Sequence, residues 1–216
     1  MNSVFLTPAF LRGETIFTTC KVISGEIYDW NLHLERLIDG AKRYFFKENL
    51  SSLKNEINSK LDIGEFTGAV RVTIFRTEND ELDFCFSRRE ISKFEKAPVR
   101  LKLTPRLQSP LLDDLKIGSY GKELYLQKLA TKEGFDDVLF CGEGKIYEAS
   151  VANIFFRKAD EIFTPKEGIY KGLSRQKLIA AKKVIERDIL VEEIHDFDEI
   201  FLANSLYDKI SVVEII

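Results

Sequence analysis

A chain of 216 residues, 44% hydrophobic and 31% charged, has the balance of an ordinary globular protein and enough length for one large core or two small ones. Its net charge of −3 leaves no basic excess to neutralise phosphates, which argues against a nucleic-acid partner. No apolar run approaches a membrane span, and the start MNSVFLTPAFLRGET lacks the basic-then-apolar layout of a secretory leader. Cys20, Cys85 and Cys141 lie far apart without a CxxC, so they are expected to be buried free thiols of a reducing, cytoplasmic compartment. His33 and His195 make no recognised metal-ligand spacing with them, and no metal is expected.

Along the chain, the first dozen residues show no clear period. The stretch ETIFTTCKVISGEIY predicts two short strands turning at Ser24-Gly25. A helix is expected from Asn31 to Phe46, with Leu34, Leu37, Ile38, Ala41 and Phe45 on one face, and a second from Leu53 to Leu61. Ala69–Arg76, Leu82–Ser87 and Val99–Thr104 have strand character. The segment PRLQSPLLDD, with two prolines and no period, reads as a linker between two α/β halves. The expected division is 1–104 for an N-terminal α/β domain, 105–115 for the linker and 116–216 for a C-terminal domain.

The second half is expected to open with a helix from Gly121 to Glu133, ended by Gly134. Strands follow at Asp137–Cys141, Lys145–Glu148, Asn153–Arg157 and Glu161–Thr164. A helix from Ser174 to Arg187 would place Leu178, Ala181 and Ile185 on one face, and strands at Leu190–Ile194, Glu199–Leu202 and Ile210–Ile215 would close the chain.

Six short motifs stand in order: HLER ending at Arg36, KIGSY at 116–120, ATKEGFDDVLF at 130–140, IYEASVANIFF at 146–156, GIYKGLSR at 168–175 and EIFLANSL at 199–206. Each is weak alone. Together they resemble the aminotransferase class IV family, from about Gly13 to Val213. The family includes branched-chain and D-amino-acid aminotransferases and 4-amino-4-deoxychorismate lyase. The resemblance implies a two-domain fold-type IV enzyme of mixed α/β class, here a compact version with a C-terminal pseudo-barrel. It also implies pyridoxal 5'-phosphate as cofactor, a small amino substrate and a homodimer.

By resemblance, Lys116 is the Schiff-base lysine, a role that needs an amine nucleophilic near neutral pH. Glu148 would face the pyridine nitrogen, although the same residue could be a plain strand-end carboxylate. Arg36 would clamp the phosphate with its bidentate fork rather than serve as a surface charge. The amides of Leu173 and Ser174 and the Ser174 hydroxyl would meet the phosphate at a helix start. Asn204 and Ser205 would add donors, or form a plain turn. Tyr120 sits a residue closer to the lysine than the family's cofactor-bonded tyrosine and is either that residue or core. Arg71 and Arg76, five apart on one strand, point to opposite faces, so one is expected to read a substrate carboxylate and the other to be solvated.

Two features lean toward the lyase. ETIFTT resembles the start of its substrate-lining strand, which makes Thr18 a substrate-site candidate, and ANSL at 203–206 resembles its C-terminal loop. The lyase's asparagine-arginine pair is replaced by Ser119-Tyr120, and its Gly- and Arg-rich stretch by Thr77-Glu78-Asn79-Asp80, which keeps amino-acid transamination open. A cofactor-binding relative without turnover, or a structural α/β dimer, is a reading of a different class.

Overall fold

The computed structural model describes residues 7–106, 114–181 and 183–216. The chain divides into two units, one of Met1–Ser92 with Leu115–Tyr120, the other of Lys93–Asp114 with Gly121–Ile216.

The first unit contains α1 (Pro8–Arg12), β1 (Thr15–Ile23), β2 (Glu26–Ile27), α2 (Trp30–Phe45), α3 (Ser51–Lys60), β3 (Gly68–Arg76) and β4 (Leu82–Glu90). Its four strands form an antiparallel sheet in the order β2-β1-β3-β4. Strand alternation sends Ile16 and Val22 of β1, with Val70, Val72 and Ile74 of β3, into a core shared with Leu34, Leu37, Ile38, Ala41 and Phe45 of α2. No side chain caps the N-terminus of α2, so this apolar face holds the helix. The short α1 escaped the sequence reading because five residues are too few to show a period. Its signal is local: the Thr7 hydroxyl accepts from the Phe10 amide at 3.3 Å, and Pro8 takes the first helical position.

The second unit contains β5 (Val99–Pro105), α4 (Gly121–Lys132), β6 (Asp137–Gly142), β7 (Lys145–Ala149), β8 (Asn153–Lys158), β9 (Glu161–Pro165), α5 (Leu173–Ala180), β10 (Ile185–Arg187), β11 (Glu199–Ala203) and β12 (Ile210–Ile215). The sheet runs β10-β9-β8-β11-β12-β5-β6-β7 and curls on itself. Residues just after β10 meet β7 at the far end: the Ile146 amide donates to the Ile189 carbonyl at 2.8 Å, and Val191 to Gly144 at 2.9 Å. This closure covers two edges that would otherwise expose unpaired backbone groups. Leu101, Leu139, Ile146, Ile154, Phe156, Ile189 and Leu202 fill its interior. The mixed α/β architecture and the curled second sheet agree with the fold expected from the sequence.

Four details differ from the sequence expectations. The first is the boundary at 104. Strand β5 pairs with β6 and β12, and so belongs to the second unit. Lys116 to Tyr120 belongs to the first, because the Phe17 amide donates to the Lys116 carbonyl at 3.0 Å and Gly118 to Thr15 at 2.9 Å. Residues 107–113 of the expected linker lie outside the described residues. The second is the helix expected to run to Arg187. It ends at Ala180, because Ile185–Arg187 pairs in parallel with β9 and completes its edge. Third, the strand expected at Leu190–Ile194 is a 3-10 turn over Val191–Asp196, in which the Glu193 carboxylate accepts the Leu190 amide at 2.7 Å. Fourth, of the three free cysteines only Cys20 is buried; Cys141 is partly covered and Cys85 exposed.

Leu37, 1% exposed in the first core, sets a test of this packing. Leu37→Ala is expected to lower stability by about 2–5 kcal/mol, as buried leucine truncations do. Leu32→Ala, on the exposed side of the same helix, should change it by less than about 0.5 kcal/mol. Urea denaturation midpoints read both, and equal losses would contradict the assigned helix face.

Candidate functional site

In the first unit, Lys116 lies on a short extended segment laid against β1 through an antiparallel bridge between Ile16 and Ile117. Close approach is possible because residue 118 is glycine: a Cβ there would overlap Thr15 Oγ1. The Lys116 amine donates to the Tyr120 hydroxyl at 3.2 Å and lies 4.7 Å from the centre of the Phe17 ring. Tyr120 meets Phe17 edge-on, with centroids 5.5 Å apart. Tyr120 therefore reaches the lysine amine despite its one-residue shorter spacing. Arg71 stacks on the same Phe17 ring at 3.5 Å, and burial lowers its pKa from the usual guanidinium value.

The two arginines of β3 separate as alternation requires. Arg71 shares the Phe17 side with Lys116, whereas Arg76 pairs with Asp80 and with Glu14, the latter at 3.7 Å. Thr18 is one residue from Phe17 on β1 and faces the opposite way. It is fully buried against α2, and its hydroxyl meets His33 Nδ1 at 2.6 Å and the Arg36 guanidinium at 3.1 Å. Thr18, the substrate-site candidate of the sequence, therefore lies in this buried cluster. Arg36, expected as a phosphate clamp, is a half-buried side chain of α2 set against Thr18 and His33.

In the second unit, Glu148 is the penultimate residue of β7. Its Oε1 accepts the Tyr170 amide at 2.8 Å and its Oε2 accepts Asn153 Nδ2 at 3.1 Å. Asn153 also donates to the Tyr170 carbonyl at 2.7 Å and accepts the Gly172 amide at 3.2 Å. One buried carboxamide thus ties the carboxylate to the segment that opens α5. Gly172 is required there, since a Cβ would lie 2.5 Å from Asn153 Oδ1. Leu173 and Ser174 follow as the first two residues of α5, whose leading amides have no acceptor inside the helix. Arg175, 2% exposed, pins that turn by donating to the Pro165 carbonyl at 2.9 Å and to Glu186 at 2.5 Å. Asn153 was not singled out from sequence; it sits inside a quoted motif, but its partners lie 17 and 19 residues away.

Of the two readings left open for Asn204, its hydrogen bonds are those of a turn. Its Oδ1 accepts the Leu206 and Tyr207 amides at 2.9 and 3.0 Å, and its Nδ2 donates to the Val151 carbonyl at 3.2 Å. The side chain builds the loop, which leaves Ser205 as the loop's candidate anion donor.

These donor sets suit pyridoxal 5'-phosphate. The Lys116 amine suits its aldehyde, the Glu148 carboxylate has the charge that suits a protonated ring nitrogen, and the start of α5 suits a phosphate.

The sequence model of the amino-transferase class IV family matches residues 15–215. The chain is 25% identical over 193 residues to an uncharacterised Haemophilus influenzae protein, covering 88% of this chain and 97% of that one. It is 28% identical over 205 residues to a candidate branched-chain-amino-acid aminotransferase of Thermotoga maritima, covering 88% and 73%. Among solved structures, a candidate 4-amino-4-deoxychorismate lyase from Legionella pneumophila matches with a TM-score of 0.80 and 27% identity, over 97% of this chain and 85% of that one. The lysine, the carboxylate and the helix start all lie within the residues that the family model matches, and the chain belongs to the amino-transferase class IV family of pyridoxal-phosphate-dependent enzymes.

Proposed function

We propose that this chain is a pyridoxal-phosphate enzyme that cleaves 4-amino-4-deoxychorismate to 4-aminobenzoate and pyruvate, a step of folate synthesis. The observation that carries the cofactor chemistry is Lys116, whose amine is held by the Tyr120 hydroxyl at 3.2 Å beside the Phe17 ring. The assignment gives Lys116, Tyr120 and Arg36 of the first unit, and Glu148, Leu173, Ser174 and Ser205 of the second, a share in holding the cofactor. Arg71, which shares the Phe17 ring with Lys116, is assigned to a substrate carboxylate.

When bound, the cofactor supplies an electron sink for the charge left as a proton or group departs from the substrate carbon. Lys116 would take the proton from the amine-bearing ring carbon and return it to the methylene of the departing enolpyruvyl unit, which leaves as pyruvate. Proton taken equals proton returned, so the cleavage needs no co-reactant. Glu148 would hold negative charge against the ring nitrogen, and Tyr170 and Asn153 keep that carboxylate from swinging away.

The choice of lyase within the family is supported by the ANSL loop and by the likeness to the Legionella protein at 27% identity. Amino-acid transamination is the second reading, favoured by 28% identity over 205 residues to the Thermotoga protein. A homodimer and a cytoplasmic setting go with either, the latter supported by three cysteines without a disulfide.

Product analysis separates the two. Incubation with 4-amino-4-deoxychorismate should yield 4-aminobenzoate and pyruvate in equal amounts with no keto acid added. Turnover only when an amino acid and 2-oxoglutarate are supplied together would overturn the lyase assignment in favour of transamination. Within either chemistry, Glu148→Gln should lower turnover on the order of 10²–10³, because the ring loses its anionic partner, while the cofactor stays bound. Occupancy and turnover read in one preparation decide it; full occupancy with wild-type turnover would reduce Glu148 to an acceptor for the Tyr170 amide.

A further inference from the structure

The buried polar cluster between β1 and α2 is not explained by packing alone. Thr18 and His33 are 0% and 2% exposed, beside a core built from apolar residues. Buried polar groups of this kind need partners, and here the partners are one another and Arg36. Thr18 Oγ1 meets His33 Nδ1 at 2.6 Å, Arg36 donates to Thr18 Oγ1 at 3.1 Å, and the same guanidinium nitrogen lies 3.5 Å from His33 Nδ1.

Arginine only donates, so the Thr18 oxygen accepts from Arg36, and Thr18 and His33 share a second hydrogen bond whose direction follows the imidazole tautomer. Cys20, the next residue on this face of β1, stays a neutral thiol, its pKa pushed up to about 12 by burial, and so does not draw the guanidinium as a thiolate would.

We infer that Thr18 and His33 are positioning residues for Arg36. They fix the rotamer of one guanidinium nitrogen and so aim the remainder of the fork at the cofactor's phosphate. The inference rests on the assignment of Arg36 as the phosphate clamp. It gives Thr18 a positioning role beside the substrate-site role read from sequence, and gives His33 a role that sequence alone did not supply. An arginine on a helix surface explores many rotamers, and holding it ready reduces the ordering needed when an anion arrives.

The test compares pyridoxal 5'-phosphate with pyridoxal, which lacks the phosphate, in equilibrium titrations of protein stripped of cofactor. Thr18→Val keeps the shape and removes the hydroxyl. It should weaken pyridoxal 5'-phosphate binding by about three- to tenfold, the worth of one hydrogen bond, and leave pyridoxal affinity unchanged. Thr18→Ser, which restores the hydroxyl, should bind both as wild type does. Should Thr18→Val fail to fold, His33→Leu removes the hydrogen-bond partner from the other end, with the same selective loss expected. Unchanged phosphate-ester affinity, or equal losses for both compounds, would overturn the inference. Arg36→Ala separates the two levels. If it abolishes the preference for the phosphate ester while Thr18→Val does not, only the positioning role falls. If Arg36→Ala keeps the preference, the phosphate assignment fails and the positioning role with it.

Discussion

Strand β1 presents different chemistry on its two faces, and the first unit is arranged around that alternation. On one face, Phe17 is the shared floor for Lys116, Tyr120 and Arg71. On the other, Thr18 joins His33 and Arg36 beneath α2. A period of two cannot be altered without exchanging the faces, so a slip of one residue against β3 would bury Phe17 where Thr18 stands and separate the lysine from its aromatic neighbour. The Lys116 segment is fixed to the same strand by backbone hydrogen bonds on either side of Ile117. Lys116 is therefore held at a sheet edge.

The second unit solves a different problem, which is to hold a carboxylate and the start of α5 in one fixed arrangement. Asn153 does this with a single side chain, bonded to Glu148, to Tyr170 and to Gly172. Arg175 secures the far side of the turn against β9 and β10. Such fully engaged networks are worth more than their separate bonds, because loss of any member leaves buried groups unpaired. The closing contacts between β7 and the residues after β10 keep the strand that carries Glu148 from fraying.

Much of this was legible in the residues. The 3.6-residue period of α2 and the short apolar runs of β6, β8 and β11 come from local burial, which composition reveals directly. The helix expected at 174–187 misled because Leu178, Ala181 and Ile185 have helical spacing, whereas β10 is decided by pairing with β9, twenty-odd positions earlier in the chain. Thr18 was placed by analogy with a motif, although simple alternation already sets it opposite Phe17. The roles of His33 and Asn153 were hidden for one reason: their partners lie on other elements, 15 residues away for His33 and Thr18 and 19 for Asn153 and Gly172. Spacing along a chain carries no information about such meetings until the fold brings them together.

The account stands or falls on Lys116. Reduction of the cofactor-loaded protein with borohydride fixes the cofactor on the amine that holds it, and peptide mapping by mass spectrometry then finds it. The account predicts a yellow protein whose single reduced adduct maps to the peptide containing Lys116. An adduct on any other lysine, or a colourless protein that takes up no cofactor, would contradict it.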